Sequence, residues 1–158
     1  MLTTIRRILV PVDFSENSEK AVRFAVDLAR ERSARLVVLH VLNERFVEAI
    51  QELNFKGFKG DFVHSLRKLL KEKEDDLLEF IQPEWRTDVD MEVMVRRGNP
   101  AQEVIEAAKD LSIDLIVLGS LGYSAADVTG IGATATEVAG KAPCSVMLVR
   151  DVRHDFTR

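Results

Sequence analysis

The chain carries one cysteine in 158 residues, which excludes an internal disulfide framework and a multi-cysteine metal centre. No apolar run approaches the ~18–20 residues that a membrane-spanning helix requires. From Met1 the chain passes directly into a short apolar run that ends at Asp13. It lacks the length and the small-residue cleavage site of a secretory signal. Basic residues hold no excess: 22 Lys and Arg stand against 26 Asp and Glu, for a net charge of −4. The cationic footprint of a nucleic-acid binder is therefore missing. The histidines His40, His64 and His154 share no metal-ligand spacing. No P-loop with its lysine is present, and no Gly-x-Gly-x-x-Gly succeeds the first apolar run. With 46% hydrophobic and 30% charged residues, the composition is that of a soluble globular protein. A cytoplasmic protein with one domain over residues 1–150 and a polar tail over 151–158 is expected.

Apolar runs alternate with helical periodicity. Ile8-Leu9-Val10-Pro11-Val12 reads as a buried strand ending in Asp13-Phe14-Ser15, where Asp13 or Ser15 can cap the next helix. Pro11 removes a backbone donor and belongs near the strand's end. Ala21, Val22, Ala25, Leu28 and Ala29 predict a helix from about Glu16 to Arg32. Leu36 to Val41 is nearly continuous in apolar residues, as parallel strands buried on both faces are. Residues 43–61 read as a helix and loop, with Phe55, Phe58 and Phe62 as core cover in preference to a partner surface. Leu66, Leu69, Leu70, Leu77, Phe80 and Ile81 predict one long amphipathic helix. Val89, Met91, Val93 and Val95 alternate with polar residues apart from Met94, as in a strand near an edge. Asn99-Pro100 opens a further helix, with Gln102 at the capping-box position. Leu115 to Leu118, a helix from about Ala133 to Gly140, and Ser145 to Val149 complete a β-α-β-α-β-α-β-α-β order. Such alternation predicts an α/β fold: one doubly wound parallel sheet of five strands with helices on both faces.

In open α/β sheets a site lies beyond the carboxyl ends of the strands. Three loops qualify. They are Pro11 to Ser15, Arg96 to Pro100, and Gly119-Ser120-Leu121-Gly122 with Gly132-Ala133-Thr134 beyond a nine-residue gap. Glycines before a helix N-terminus let amides approach an anion, and a carboxylate at a neighbouring strand end can accept ribose hydroxyls. Together they suggest a nucleotide pocket, although such glycines also serve turns alone. His40 reads as a packed side chain, Cys144 as a structural thiol, and Asp75-Asp76 as part of a solvated helix face.

Several pieces in order resemble the universal stress protein family over nearly the whole chain. They are Ile8 to Ser15 with Ala21, Gly98-x-Pro100, Asp114 to Gly122, and Gly132 through Pro143-Cys144-x-Val146-x-Leu148-Val149. The resemblance implies the strand order 3-2-1-4-5. It implies a homodimer through antiparallel pairing of the last strand, at Val146, Met147, Leu148 and Val149. It also implies ATP or another adenine nucleotide, with or without Mg²⁺, as ligand. In the ATP-binding branch the motif is Gly-x2-Gly-x9-Gly and then Ser or Thr. Gly119, Gly122 and Gly132 keep those gaps here, and Ala133 departs from the pattern. By the same resemblance Asp13 takes the ribose or adenine side, Pro11 and Val41 line the base, and Val12 belongs to the same cofactor-binding site. Leu118 and Gly119 meet ribose or phosphate, and Ser120 belongs to the same cofactor-binding site. Gly122, Gly132, Ala133 and Thr134 present amides to phosphates.

Ala133 lacks a hydroxyl whose bond to a charged group is worth roughly 1.5–3 kcal/mol, or about 10- to 100-fold in binding. Thr134, Thr136 and Ser120 are candidates to replace it. Residues 123–131 contain no Lys or Arg, and Asp127 would repel phosphates unless Mg²⁺ intervenes. Two functions are compatible with these residues. One is a nucleotide-binding regulatory module in the stress response, at most a very slow ATPase. The alternative is a non-nucleotide scaffold acting through its dimer and an unknown protein partner, without nucleic acid or membrane. A phosphoacceptor receiver domain needs an acidic pair, an Asp and a Lys at set strand ends; Asp13 alone, Gly98 and Arg150 stand there.

Overall fold

The computed structural model describes residues 4–55, 62–120 and 131–150. Expectations for Phe58, Gly122, the 123–130 loop and the 151–158 tail, and for the side chains of Phe55 and Phe62, lie outside the described residues.

The chain order is β1 (Arg7–Val12), α1 (Glu16–Arg32), β2 (Arg35–Asn43), α2 (Glu44–Phe55), α3 (Phe62–Phe80), a 3-10 turn (Pro83–Arg86), β3 (Met91–Gly98), α4 (Pro100–Asp110), β4 (Leu115–Gly119), α5 (Ala133–Lys141) and β5 (Ser145–Val149). The strands form one parallel sheet in the order β3-β2-β1-β4-β5. Right-handed crossovers explain the layering. The steps β1 to β2 and β2 to β3 run one way, so α1 and α3 cover one face. The steps β3 to β4 and β4 to β5 run the other way, so α4 and α5 cover the opposite face.

Two cores result. Ile8, Val10, Val12, Leu36, Val38 and Val117 meet Val22, Val26, Leu77 and Trp85 on the first face. Leu9, Val37, Leu39, Ile116 and Leu118 meet Val104, Ala108, Ala135 and Val138 on the second. Alternate residues of each run thus face opposite cores, as the unbroken apolar runs predict. β3 is an edge strand. Met91, Val93 and Val95 pack on the first core, while Met94 packs on the second under α4, which explains the break in the alternation. Arg96 on β3 pairs with Glu103 at 3.8 Å and Asp110 at 3.0 Å. Arg35 meets Glu92 at 2.6 Å. Charges along an edge discourage pairing with another chain.

The long helix forms as expected over Phe62–Phe80, but its apolar stripe is unevenly buried. Leu77 is fully buried, but Leu66, Leu69 and Leu70 are only half-buried. The first face is covered by α1 and the end of α3, and α3 also packs against α2. Asn99 caps α4 by accepting from the Gln102 amide at 3.2 Å. The fold and the helix-capping chemistry bring the carboxyl ends of β1, β2 and β4 to one rim.

Candidate functional site: the rim where β1 and β4 diverge

β1 and β4 are neighbours, paired at Ile8 to Leu115 and Leu9 to Ile116. Connections leave them towards opposite faces, the topology that in open α/β sheets makes a crevice beyond the strands' carboxyl ends. Pro11, Val41 and Leu118 belong to the second face of the sheet. Val41 and Leu118 pack with the second core, and Pro11 lies two residues beyond Leu9 on its strand. The structure therefore places Pro11 and Val41, expected to line a base, on one surface with Leu118, expected at the ribose or phosphate, whereas the Val12 side chain is buried in the first core on the opposite face.

Asp13 is exposed just past β1. Its Oδ1 accepts the Ser15 amide at 3.0 Å and the Ser15 hydroxyl in a short bond. Ser15 is the N-cap of α1 and accepts from the Ser18 amide at 3.2 Å. Of the two candidate caps, Ser15 caps the helix directly and Asp13 steadies Ser15. Between them Phe14 takes a left-handed φ of 65°. That conformation costs a side-chain-bearing residue about 1–2 kcal/mol.

Contacts on the first face hold this turn. The Phe14 ring lies 4.6 Å from the His40 ring and 5.6 Å from Phe80, edge-on. The Lys73 ammonium sits 5.7 Å from its centroid. His40 Nδ1 donates to the Val12 carbonyl at 2.7 Å. Burial lowers the His40 pKa below 6.5. The Val12 bond opposes this, Lys73 adds to it, and Asp13 and Asp76 oppose it. His40 at neutral pH is thus an uncharged imidazole with its proton on Nδ1. Nothing in the apolar pattern of β2 signals that bond.

At β4, Leu118 is buried and Gly119 ends the strand against the first turn of α1. A Cβ on Gly119 would stand 2.9 Å from the Asn17 carbonyl oxygen. The close helix approach, besides any ligand, therefore requires this glycine. Ser120 is buried, its amide donates to Val149 O at 3.1 Å, and its carbonyl accepts the Gly132 amide at 2.7 Å. Gly132 is the N-cap of α5 and offers no side-chain cap. Its amide is already engaged, and its carbonyl accepts both the Thr136 amide and the Thr136 hydroxyl at 2.9 Å. Thr136 is thereby removed as a stand-in for the missing hydroxyl. Thr134 is exposed in the first turn.

The amides of Ala133, Thr134 and Ala135 have no acceptor among the described residues. They form an open, positively polarised helix end. Across the crevice the α1 end is closed by Ser15 and Asp13. One helix terminus is capped by its own chain, while the other keeps its first amides open among the described residues.

Elsewhere, burial raises the Cys144 pKa, with the Ile116 backbone opposing the shift. His64 is exposed, and Asp75 and Asp76 pair with Lys71 and Lys73 on a solvated face. Among the described residues no group of three or more His, Cys, Asp or Glu is placed to hold a metal ion, and no helix is long and apolar enough to cross a membrane.

Known proteins share this fold. The pattern of the universal stress protein family matches residues 4–150. The universal stress protein YxiE of Bacillus subtilis is 31% identical over 145 residues, which covers 91% of this chain and 98% of that protein. The solved structure of MJ0577 superposes with a TM-score of 0.78 at 24% identity, over 96% of this chain and 100% of that one. A universal stress protein in complex with cAMP superposes at 0.58 with 20% identity, over 94% of this chain and 98% of that one. One from Archaeoglobus fulgidus in complex with dAMP does so at 0.53 with 20% identity, over 94% and 100%. The sheet order, the strand-end motifs and these matches agree: the chain belongs to the universal stress protein family.

Proposed function

We propose that the β1–β4 crevice binds an adenine nucleotide and that the protein acts as a regulatory module without efficient catalysis. The observation that carries this is the uncapped start of α5. Ala133, Thr134 and Ala135 offer amides there with no acceptor among the described residues. Asp13, a carboxylate at the adjacent strand end, suits ribose hydroxyls, and Pro11, Val41 and Leu118 suit the base. The likeness to folds solved with cAMP and dAMP supports this ligand class. The first turn of α5 contains no Lys, Arg or capping hydroxyl at Ala133. A monophosphate therefore fits its donors better than an unaccompanied triphosphate, whose extra charge needs Mg²⁺ or cationic partners.

The protein as purified, denatured and analysed by mass spectrometry, should release an adenine nucleotide. Emptied protein should bind AMP in calorimetry at micromolar strength. No released nucleotide and no heat with AMP, or with ATP and Mg²⁺, up to millimolar concentration would refute the proposal in favour of a scaffold role. We place its action in the cytoplasm and as a homodimer. β5 is the second edge of the sheet, and Val146 to Val149 are half-buried on both faces, so a second β5 can continue the ladder. Sedimentation equilibrium tests this, and a monomer at all concentrations would refute it.

A further inference from the structure

We propose that His40 is a positioning residue for the ligand-facing carboxylate, holding the Asp13-Phe14-Ser15 turn through Val12 and Phe14. This inference rests on the nucleotide site described above and assigns to that site a residue which the apolar pattern marks only as core.

The geometry has two arms. The first is the bond from His40 Nδ1 to the Val12 carbonyl at 2.7 Å. Val12 is the last residue of β1 and lies level with His40 in the parallel register. The imidazole thus fastens the strand end at the residue before Asp13. The second arm is the ring face, 4.6 Å from Phe14, the residue after Asp13. Phe14 holds its left-handed φ with Phe80 and Lys73 completing the enclosure. Asp13 is therefore gripped on both sides by one side chain from the neighbouring strand. The Asp13 carboxylate then receives Ser15 through Oδ1, which sets the start of α1.

A filler role predicts otherwise. His40 points to the first face, among the residues around Val10, Val38 and Val95. A leucine there would match the surroundings and be tolerated. If position matters, leucine keeps the bulk and loses the donor, whereas asparagine places an amide N–H near the Nδ1 position.

The test compares the wild type, His40→Asn and His40→Leu by ¹⁵N NMR amide exchange at Ser15 and by calorimetry with AMP. Ser15 should stay protected in the wild type and in His40→Asn, and exchange at least about tenfold faster in His40→Leu. AMP affinity should fall about tenfold in His40→Leu and stay within about twofold in His40→Asn. Unchanged Ser15 exchange in His40→Leu would overturn the inference, as would His40→Asn as damaged as His40→Leu. Should His40→Leu fail to fold by circular dichroism, His40→Gln replaces it, since its donor falls near Nε2 instead. If the wild type takes up no AMP, the nucleotide reading falls, and the Ser15 comparison still decides the role of His40.

Discussion

Position 133 allows two substitutions with opposite expected signs. Ala133 is the first residue of α5 and is exposed, so neither a ring nor a hydroxyl meets packed neighbours. Ala133→Pro deletes one of the three open amides. The helix loses no internal bond, because that amide has no intrahelical acceptor, and proline suits the first helical position. The residue before a proline must be extended, and Gly132 already is, with φ −63° and ψ 158°. Stability should therefore hold or rise slightly.

A phosphate held by that amide loses a bond to a charged acceptor, worth about 1.5–3 kcal/mol, or roughly 10- to 100-fold in affinity. Ala133→Ser does the reverse: it adds a hydroxyl at the same helix end and should tighten AMP by up to the same factor. Calorimetry with AMP, paired with thermal melts, reads both. If Ala133→Pro folds normally and binds AMP with unchanged affinity, the phosphate does not sit on α5 and the proposed site is wrong. If Ala133→Ser alone is silent, the amides already saturate the phosphate oxygens.

Gly119→Ala should destabilise the protein by about 1–3 kcal/mol, since the added Cβ meets the Asn17 backbone, which has little room to yield. Thermal melting should show it as a fall of a few degrees, and an unchanged Tm would mean that α1 moves away freely. Asn99→Ala should cost about 1 kcal/mol in urea unfolding by removing the α4 cap. For pH, His40 has a folded pKa below its unfolded value of 6.5. The unfolded chain therefore binds this proton more readily. Its stabilising contribution is complete above about pH 6.5, declines as pH falls below that value, and levels off beneath the lowered folded pKa. Urea titrations from pH 5 to 8 should show this slope in the wild type and less of it in His40→Asn; equal slopes would place the titration elsewhere.

Periodicity and turn chemistry foreshadow the elements because each depends on local sequence. α1 spans Glu16–Arg32 as its alanine stripe and a cap at Asp13 or Ser15 predict, and Asn99-Pro100 opens α4. Strand order is not local, and here it comes from the resemblance of whole motifs. α3 shows the limit of the helical pattern. Its leucines recur correctly along the entire helix, yet only Leu77 near its end is fully buried. A hydrophobic stripe says that a face seeks cover, and the neighbouring elements decide where cover exists.

The same distinction governs the site. Glycine spacing locates the rim, but spacing cannot tell which amides are open. Gly132 reads as a donor to an anion, and its N–H instead closes on Ser120, which moves the open donors into the first turn of α5. Gly119 reads as a phosphate glycine and is also required by the Asn17 carbonyl. Phe14 carries no sign of its left-handed backbone, since neither its type nor its neighbours demand it. In each case the missing information is a contact between residues from different strands or helices. The strained turn bearing Asp13 is held from β2 and α3, while the open donors are held from β4 and α5. A ligand bridging Asp13 and α5 would therefore link the two halves of the sheet on either side of the β1–β4 boundary. Ligand-dependent protection of amides in both halves would be its signature, and protection confined to α5 would argue for a phosphate site without a nucleoside.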